Sequence, residues 1–448
     1  MLTRLWTTTA FRWAWAAPLL ACWLLLGASR AVAYSVLSHE AVVDLAWKDQ
    51  LEPLLLARFP ATTPDQLKQA HAYAYGGCII QDLGYYPFGN HFFSDLLHYV
   101  RTGDFVANLL ADASDANEYA FALGALAHYT ADSYGHPAVN LATSQEYPKL
   151  RRKYGKVVTY DQNPTAHLQT EFGFDVVEVA HNRYAPDQYH DFIGFQVSKA
   201  LLERAFRETY GFEVDKVLTH EDLAISTYRS TVSGLLPKMT KVALVTFGKQ
   251  IQKDDPSFDR RKLLYRVRRA DFEKEYGRDY QKPGFGSRFL AFFIGILPKV
   301  GPLKALALHL PDGDTQKTFD EGMNSTLDHY RAYIAQVKTL DGRRFELPSR
   351  DLDTGEPTAP GEYRLADFTY AKLLDQVVKQ HSATIPAELL PSLVAYYRPG
   401  EKNYVETKPK EWAQVQSDLK LLSQMPVAPA LSQPGSATAD PSQSSSQN

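Results

Sequence analysis

Cysteine is nearly absent: the chain holds only Cys22 and Cys78, and Cys22 falls in a leader-like segment. With Cys78 alone in the remainder, no intramolecular disulfide can form. Staples must then come from core burial or bound metal. Cys78 sits beside two glycines in an apolar stretch, which reads as a small buried residue rather than a nucleophile. Net charge is also scarce. A formal −3 over 448 residues provides no basic field for nucleic acid or an anionic membrane. Alternating strand patterns are rare, "GKVVTY" at 155–160 being the best, and no repeat of fixed period occurs. Beyond the leader there is no long unbroken apolar run. The most apolar stretch, "RFLAFFIGILPKVGPLKALALHLP", is interrupted by Pro298 and Pro302. Neither half can span a bilayer, so a buried helical hairpin is expected, with a lipid-touching surface as the alternative.

What is present begins with that leader. Arg4 and Arg12 precede "WAWAAPLLACWLLLGA", and Ala31–Ala33 read "AVA". This is a charged n-region, an apolar core too short to span, and a small-residue exit. Residues 1–33 are therefore expected to be a cleaved export signal, leaving Tyr34 as the new N-terminus. After it, helical spacing dominates and predicts an all-α chain. "SHEAVVDLAWKDQLEPLLLARF" offers Ser38 as an N-cap, and "TTPDQLKQAHAYAYGGCII" opens with a Thr/Pro/Asp entry signal. "ANEYAFALGALAHYTADSYG" predicts a helix ended by Gly135 and Pro137, followed by one after Pro164 and two more before residue 250. Residues 251–425 read as a further helical region: a solvated, doubly charged stretch, the apolar hairpin, and a long loop or short hairpin at 340–365. From 426 to 448 the composition is that of a disordered tail.

Chemistry concentrates in one stretch. "ALAHYTADSYGHP" places His128, Asp132 and His136 at four-residue intervals. Each such step turns a helix by about 400°, so the three lie along one face within an arc of about 80°. Their neighbours Phe121, Leu123 and Leu126 make that face apolar. A carboxylate and two imidazoles buried there need partners, and a divalent metal, zinc by donor type, satisfies all three. His167 and Glu171 repeat the i, i+4 pattern downstream, while Asp82, His98 and His39 lie upstream. Seven of the thirteen histidines fall between His39 and His167. His91 competes with His98 for one ligand position, and His71, facing Tyr75, reads as structural.

The order His39, Asp82, His98, His-x3-Asp-x3-His, His-x3-Glu resembles the zinc-dependent phospholipase C family, which shares its fold with the S1/P1-type nucleases. The likeness covers roughly Tyr34 to Glu171. It implies an all-helical bundle, here spanning residues 34–250 and followed by the helical region, with up to three Zn2+ ions in a cleft. One zinc would take Asp82, His98, His128 and Asp132. A second would take the Tyr34 amino and carbonyl groups, His39 and a bridging Asp132. The third would take His136, His167 and Glu171. The implied activity is a metal-activated water attacking a phosphodiester, with Asp82 orienting or deprotonating that water. Tyr85, Tyr86 and Phe88 would wall the cleft or simply pack. The implied substrate is phospholipid at a membrane surface, with no specific nucleic acid. The family's lipase branch tends to carry Glu at the position of Glu171 and the nuclease branch Asp. A single-strand nuclease and a metal-stabilised, non-catalytic binding module are the alternatives. Three departures stand out: Gln81 where Pro is common, Tyr34 where Trp is usual, and the short Asp132-to-His136 spacing.

Overall fold

Apolar residues at three- and four-residue spacing give fourteen α-helices and no strand among the described residues. The computed structural model describes residues 36–180, 184, 193–232, 311–340, 344–380, 385–398, 400 and 402–426. The expected leader, Tyr34, the charged and apolar stretches between 250 and 310, and the tail from 427 lie outside them.

The helices are α1 (Val36–Ala46), α2 (Glu52–Arg58), α3 (Pro64–Gly77), α4 (His91–Tyr99), α5 (Thr102–Asp112), α6 (Ala116–Glu146) and α7 (Pro148–Tyr154). They continue with α8 (Pro164–Ala180), α9 (Lys199–Tyr210), α10 (Glu221–Ser230), α11 (Gly313–Lys338), α12 (Arg364–Lys379), α13 (Leu389–Tyr396) and α14 (Pro409–Leu422). The entry signal of α3 is a capping box: Thr63 Oγ1 accepts from the Gln66 N–H at 3.3 Å, and Gln66 Oε1 accepts from the Thr63 N–H at 2.8 Å. Ser38 differs from expectation. It lies inside α1, where its hydroxyl donates to Asp175 Oδ1 at 2.8 Å. Asp175 Oδ2 also accepts from the Leu37 N–H at 3.2 Å, so a distant acid on α8 satisfies this turn.

α6 is the axis of the fold. It is buried along most of its length, with α1, α3, α5, α8 and α11 packed around it. Small residues let backbones meet. A Cβ on Gly124 would stand 2.1 Å from the Ala74 carbonyl oxygen, and one on Gly77 would stand 1.9 Å from that of Phe121. The helix does not end at Gly135 and Pro137 as the sequence predicts; it runs to Glu146. Proline inside a helix costs about 3 kcal/mol, because the bond to the carbonyl four residues back is lost. Here that carbonyl belongs to Ser133, and tertiary packing overrides the break. Gly355 sits so close that a Cβ on it would lie 2.2 Å from the Ser133 oxygen. Its φ of 75° is the left-handed conformation that glycine adopts most readily.

"GKVVTY" forms no strand: it is irregular, and the Val158 N–H donates to the Asn140 carbonyl of α6 at 3.1 Å. Residues 194–198 are likewise irregular, and α9 starts at Lys199. That backbone is used for docking, the Gln196 N–H donating to the Ala72 carbonyl of α3 at 2.9 Å. The loop expected at 340–365 is irregular where described, with one antiparallel bridge between Arg350 and Pro357. One hydrophobic core runs from Val36 to Leu422, so the C-terminal helices pack into it with the N-terminal ones. Tyr330 of α11 donates to the Leu123 carbonyl at 2.9 Å, and Phe319 stacks on Phe174 of α8 at 4.4 Å. No described helix is long and apolar enough to cross a membrane.

Candidate metal centre

The stripe of α6 faces inward, as its spacing requires. Both carboxylate oxygens of Asp132 are ringed by imidazole nitrogens from three helices. His128 Nε2 lies 3.0 Å away and His98 Nε2 3.4 Å from one oxygen; His136 Nε2 lies 3.3 Å and His39 Nε2 3.5 Å from the other. Asp82, from the short 3-10 turn Ile80–Tyr85, brings Oδ1 to 3.4 Å from His98 Nε2. On the far side, Glu171 Oε1 lies 2.8 Å from His167 Nε2 and 3.3 Å from His136 Nε2. His136 thus joins the two halves, and the short spacing after Asp132 is what places it between the two acids. All eight residues are buried. His91, by contrast, is exposed at the start of α4, whereas His98, about two turns further along the helix, is buried in the cluster. Tyr34 lies outside the described residues.

The rings are aimed. His98 Nδ1 bonds to the Ser94 carbonyl at 2.8 Å, His128 Nδ1 to that of Cys78 at 2.9 Å, and His136 Nδ1 to that of Leu352 at 2.8 Å. A carbonyl can only accept, so the proton sits on Nδ1 and each Nε2 turns a lone pair toward the centre. Both oxygens of Asp82, Asp132 and Glu171, and both nitrogens of His167, are buried and in no hydrogen bond. Such burial costs several kcal/mol per group unless a cation collects these donors. Three groups converge tightly enough for one ion each: His39–His128–Asp132, Asp82–His98–His128, and His136–His167–Glu171. His39 and His128 stack at 4.3 Å, which sets His128 between the first two groups. The residues therefore fit zinc by donor type, convergence and tethering.

Electrostatics agree. Burial would raise the Asp132 carboxyl, yet the His128 and His136 rings hold it well below the usual carboxylate range. Burial would lower His136, but Asp132 and Glu171 push it up to about 10. His98 is likewise raised against its burial by Asp132 and Asp82. Asp82 is raised by its burial, with the neighbouring imidazoles opposing, and His39 is lowered by its burial beside His128. The cluster carries more carboxylate than its surroundings can neutralise and draws positive charge to itself.

Around this core the other expectations divide. Tyr85 packs beside His98 at 5.6 Å, Tyr86 turns onto Tyr228 at 5.0 Å, and Phe88 is exposed with a left-handed φ of 64°. His71 is structural: it stacks on Trp47 at 3.8 Å and bonds Asp44 at 3.2 Å. Gln81, the departure before Asp82, donates to the Ala125 carbonyl of α6 at 3.0 Å and so anchors the 3-10 turn. Cys78 is buried, and burial pushes its thiol well above the ordinary value. Asp353 and the Leu352 carbonyl, which no motif in the sequence marks, meet His136 from a loop more than two hundred residues away. Their one local signal is the acid-rich turn "DLDTG", Asp351 to Gly355, inside an otherwise featureless segment.

Fold and centre together define an all-helical protein with buried imidazole–carboxylate clusters of metal-binding composition. Residues 38–217 match the family described as zinc dependent phospholipase C, which supports a likeness of this part of the chain to that family. No curated protein and no solved structure matches the chain.

Proposed function

We propose that the protein is an exported zinc-dependent phosphodiesterase, a phospholipase C that cleaves the head group from a phospholipid. The observation that carries this is the convergence of His39, Asp82, His98, His128, Asp132, His136, His167 and Glu171 into three buried groups, in which both oxygens of Asp82, Asp132 and Glu171 are in no hydrogen bond. The ion sets are those the family resemblance implies: Asp82, His98, His128 and Asp132; Tyr34, His39 and Asp132; and His136, His167 and Glu171. Bound zinc would neutralise the phosphodiester charge and lower the pKa of a coordinated water.

The chain's own residues supply the rest. The carbonyls of Ser94, Cys78 and Leu352 lock three imidazoles in register, so no reorganisation is needed during reaction. Asp82, a buried acid of the cluster, would orient or deprotonate the attacking water, as the family resemblance implies. The bond that breaks is phosphorus to glycerol oxygen; the products are diacylglycerol and a phosphorylated head group. Glu171 is the feature that favours lipid over nucleic acid. The leader motivates export, with cleavage after Ala33 delivering the Tyr34 amine to the centre.

The test is to assay zinc-loaded, leader-free protein on phosphatidylcholine vesicles and on single-stranded DNA. Release of diacylglycerol is expected. Nucleotide release without diacylglycerol would turn the assignment to the nuclease branch, and bound zinc with no hydrolysis of either would leave a binding module. Export is tested by sequencing the N-terminus of secreted protein, where Tyr34 is expected first.

A further inference from the structure

We propose that residues 348–355, beyond the family-matched segment, are part of the metal centre: they hold the His136 ring from behind, with Asp353 as a positioning residue that tightens the His136–His167–Glu171 site. The inference rests on the zinc-centre reading and adds to it a role for the C-terminal region.

Three of the cluster imidazoles are tethered at Nδ1, and the tethers are not equivalent. Those of His98 and His128 come from Ser94 and Cys78, inside the family-matched part of the chain. That of His136 comes from Leu352. The same nitrogen has Asp353 Oδ1 at 3.9 Å, on the opposite edge of the ring from Nε2. Asp353 is therefore no ligand of the same ion; it stands behind the ligand. A carboxylate in that place favours positive charge on the imidazole and makes its Nε2 a stronger donor to metal.

The loop is held firmly enough to do this. Asp353 Oδ2 accepts from Tyr99 Oη at 2.9 Å and from Tyr363 Oη at 2.6 Å. Its carbonyl accepts from Asn140 Nδ2 of α6 at 2.7 Å. Asp351 Oδ1 takes the N–H groups of Asp353 and Thr354, at 2.9 and 3.2 Å, closing the turn. The Leu352 N–H donates to the carbonyl of His98, itself in the cluster, at 3.0 Å. The Gly355 backbone fills the gap that Pro137 leaves beside Ser133. The loop, buried at Asp351, Leu352, Asp353 and Gly355, thus grips α4 and α6 at the residues flanking the centre.

Asp353→Ala and Asp353→Asn in the full chain test this. The readouts are zinc bound per chain, its affinity by chelator competition, and the thermal midpoint with and without zinc. Asp353→Ala is expected to weaken one zinc ion by about ten- to a hundred-fold while the others keep wild-type affinity. Asp353→Asn, which keeps an oxygen for the two tyrosines and loses the charge, should fall between. In both, the zinc-induced rise in midpoint shrinks. A merely structural Asp353 would lower the midpoint equally with and without zinc and leave every affinity unchanged, and that result overturns the proposal. Should Asp353→Ala fail to fold, Asp353→Asn alone decides by the same readouts. A wild-type chain that binds no zinc would sink the functional reading itself, whereas wild-type zinc with an indifferent Asp353 would sink only the role of the loop.

Discussion

Asp132 and Asp367 are both fully buried aspartates, and they are treated in opposite ways. Asp367, on α12, is surrounded by donors: Tyr396 Oη at 2.6 Å, the Tyr404 N–H at 2.6 Å and the Gly361 N–H at 3.1 Å from each oxygen. Asp132, on α6, accepts no hydrogen bond and faces four imidazole nitrogens, three of them on rings tethered so as to present lone pairs. Burial raises the Asp367 carboxyl despite its donors, while the imidazoles around Asp132 hold it well below the usual range. The contrast separates a brace from a cation site. A brace is finished by the protein alone; a cation site is left open at the atoms that point inward.

Replacing the open acid should have the largest effect. Asp132→Asn keeps the shape of the side chain and removes the charge shared by the two neighbouring ion sets. Hydrolysis is expected to fall roughly a thousand-fold, the equivalent of about 4 kcal/mol of transition-state stabilisation, with loss of at least one bound zinc. A variant that kept full zinc and full rate would erase the distinction. Replacing the braced acid should act on stability instead. Asp367→Ala leaves the Tyr396 hydroxyl and the Tyr404 N–H unpaired in the interior, at about 1–3 kcal/mol each. Urea unfolding should show a loss of about 3 kcal/mol while zinc content and rate per folded molecule stay at wild type.

Metal removal sharpens the same contrast from the other side. An ion held at a hundred times its dissociation constant stabilises the folded chain by about 2.7 kcal/mol. Chelation should remove that increment from the wild type and from Asp367→Ala, and much less of it from Asp132→Asn. Equal losses in all three would mean that the stabilising ion does not sit at Asp132.

How far the sequence carries follows from which interactions are local. The stripe of α6 was legible because a helix fixes the geometry of residues four apart, and the His167–Glu171 pair for the same reason. The capping box of Thr63 and Gln66 is equally local. Ser38 and Pro137 were misjudged because their outcomes depend on Asp175 and Gly355, which lie far away in the chain. The tether of His136 was invisible for the same reason, since a backbone carbonyl carries no residue signature and Leu352 is apolar. Convergence of separate helices onto one centre is a tertiary fact, reached from the sequence only through the family resemblance.

Glu146 shows a third fate for a buried acid, and the smallest expected effect. It lies in the last turn of α6, where the helix dipole disfavours a carboxylate. Its Oε1 is buried in no hydrogen bond, Thr170 Oγ1 donates a long one to Oε2 at 3.4 Å, and the Thr315 hydroxyl adds a weak favourable contact. Burial pushes its carboxyl up to about 8, with the charge of Asp312 adding to the rise against the Thr170 bond. The threonine hydroxyls do not outweigh that burial and no imidazole cluster offsets the charge, so the folded chain keeps the proton. The unfolded chain releases it near 4.5. Between these two values the folded state binds more protons, so stability falls as pH rises, and the full cost is present above pH 8. Glu146→Gln removes that cost. It should match the wild type at pH 4 and exceed it at pH 9, by up to about 2 kcal/mol once solvent screening at this half-buried position is counted. Denaturation curves at the two pH values decide it. A constant offset between the proteins would show that the charge of Glu146 is met in the fold after all, as that of Asp132 is.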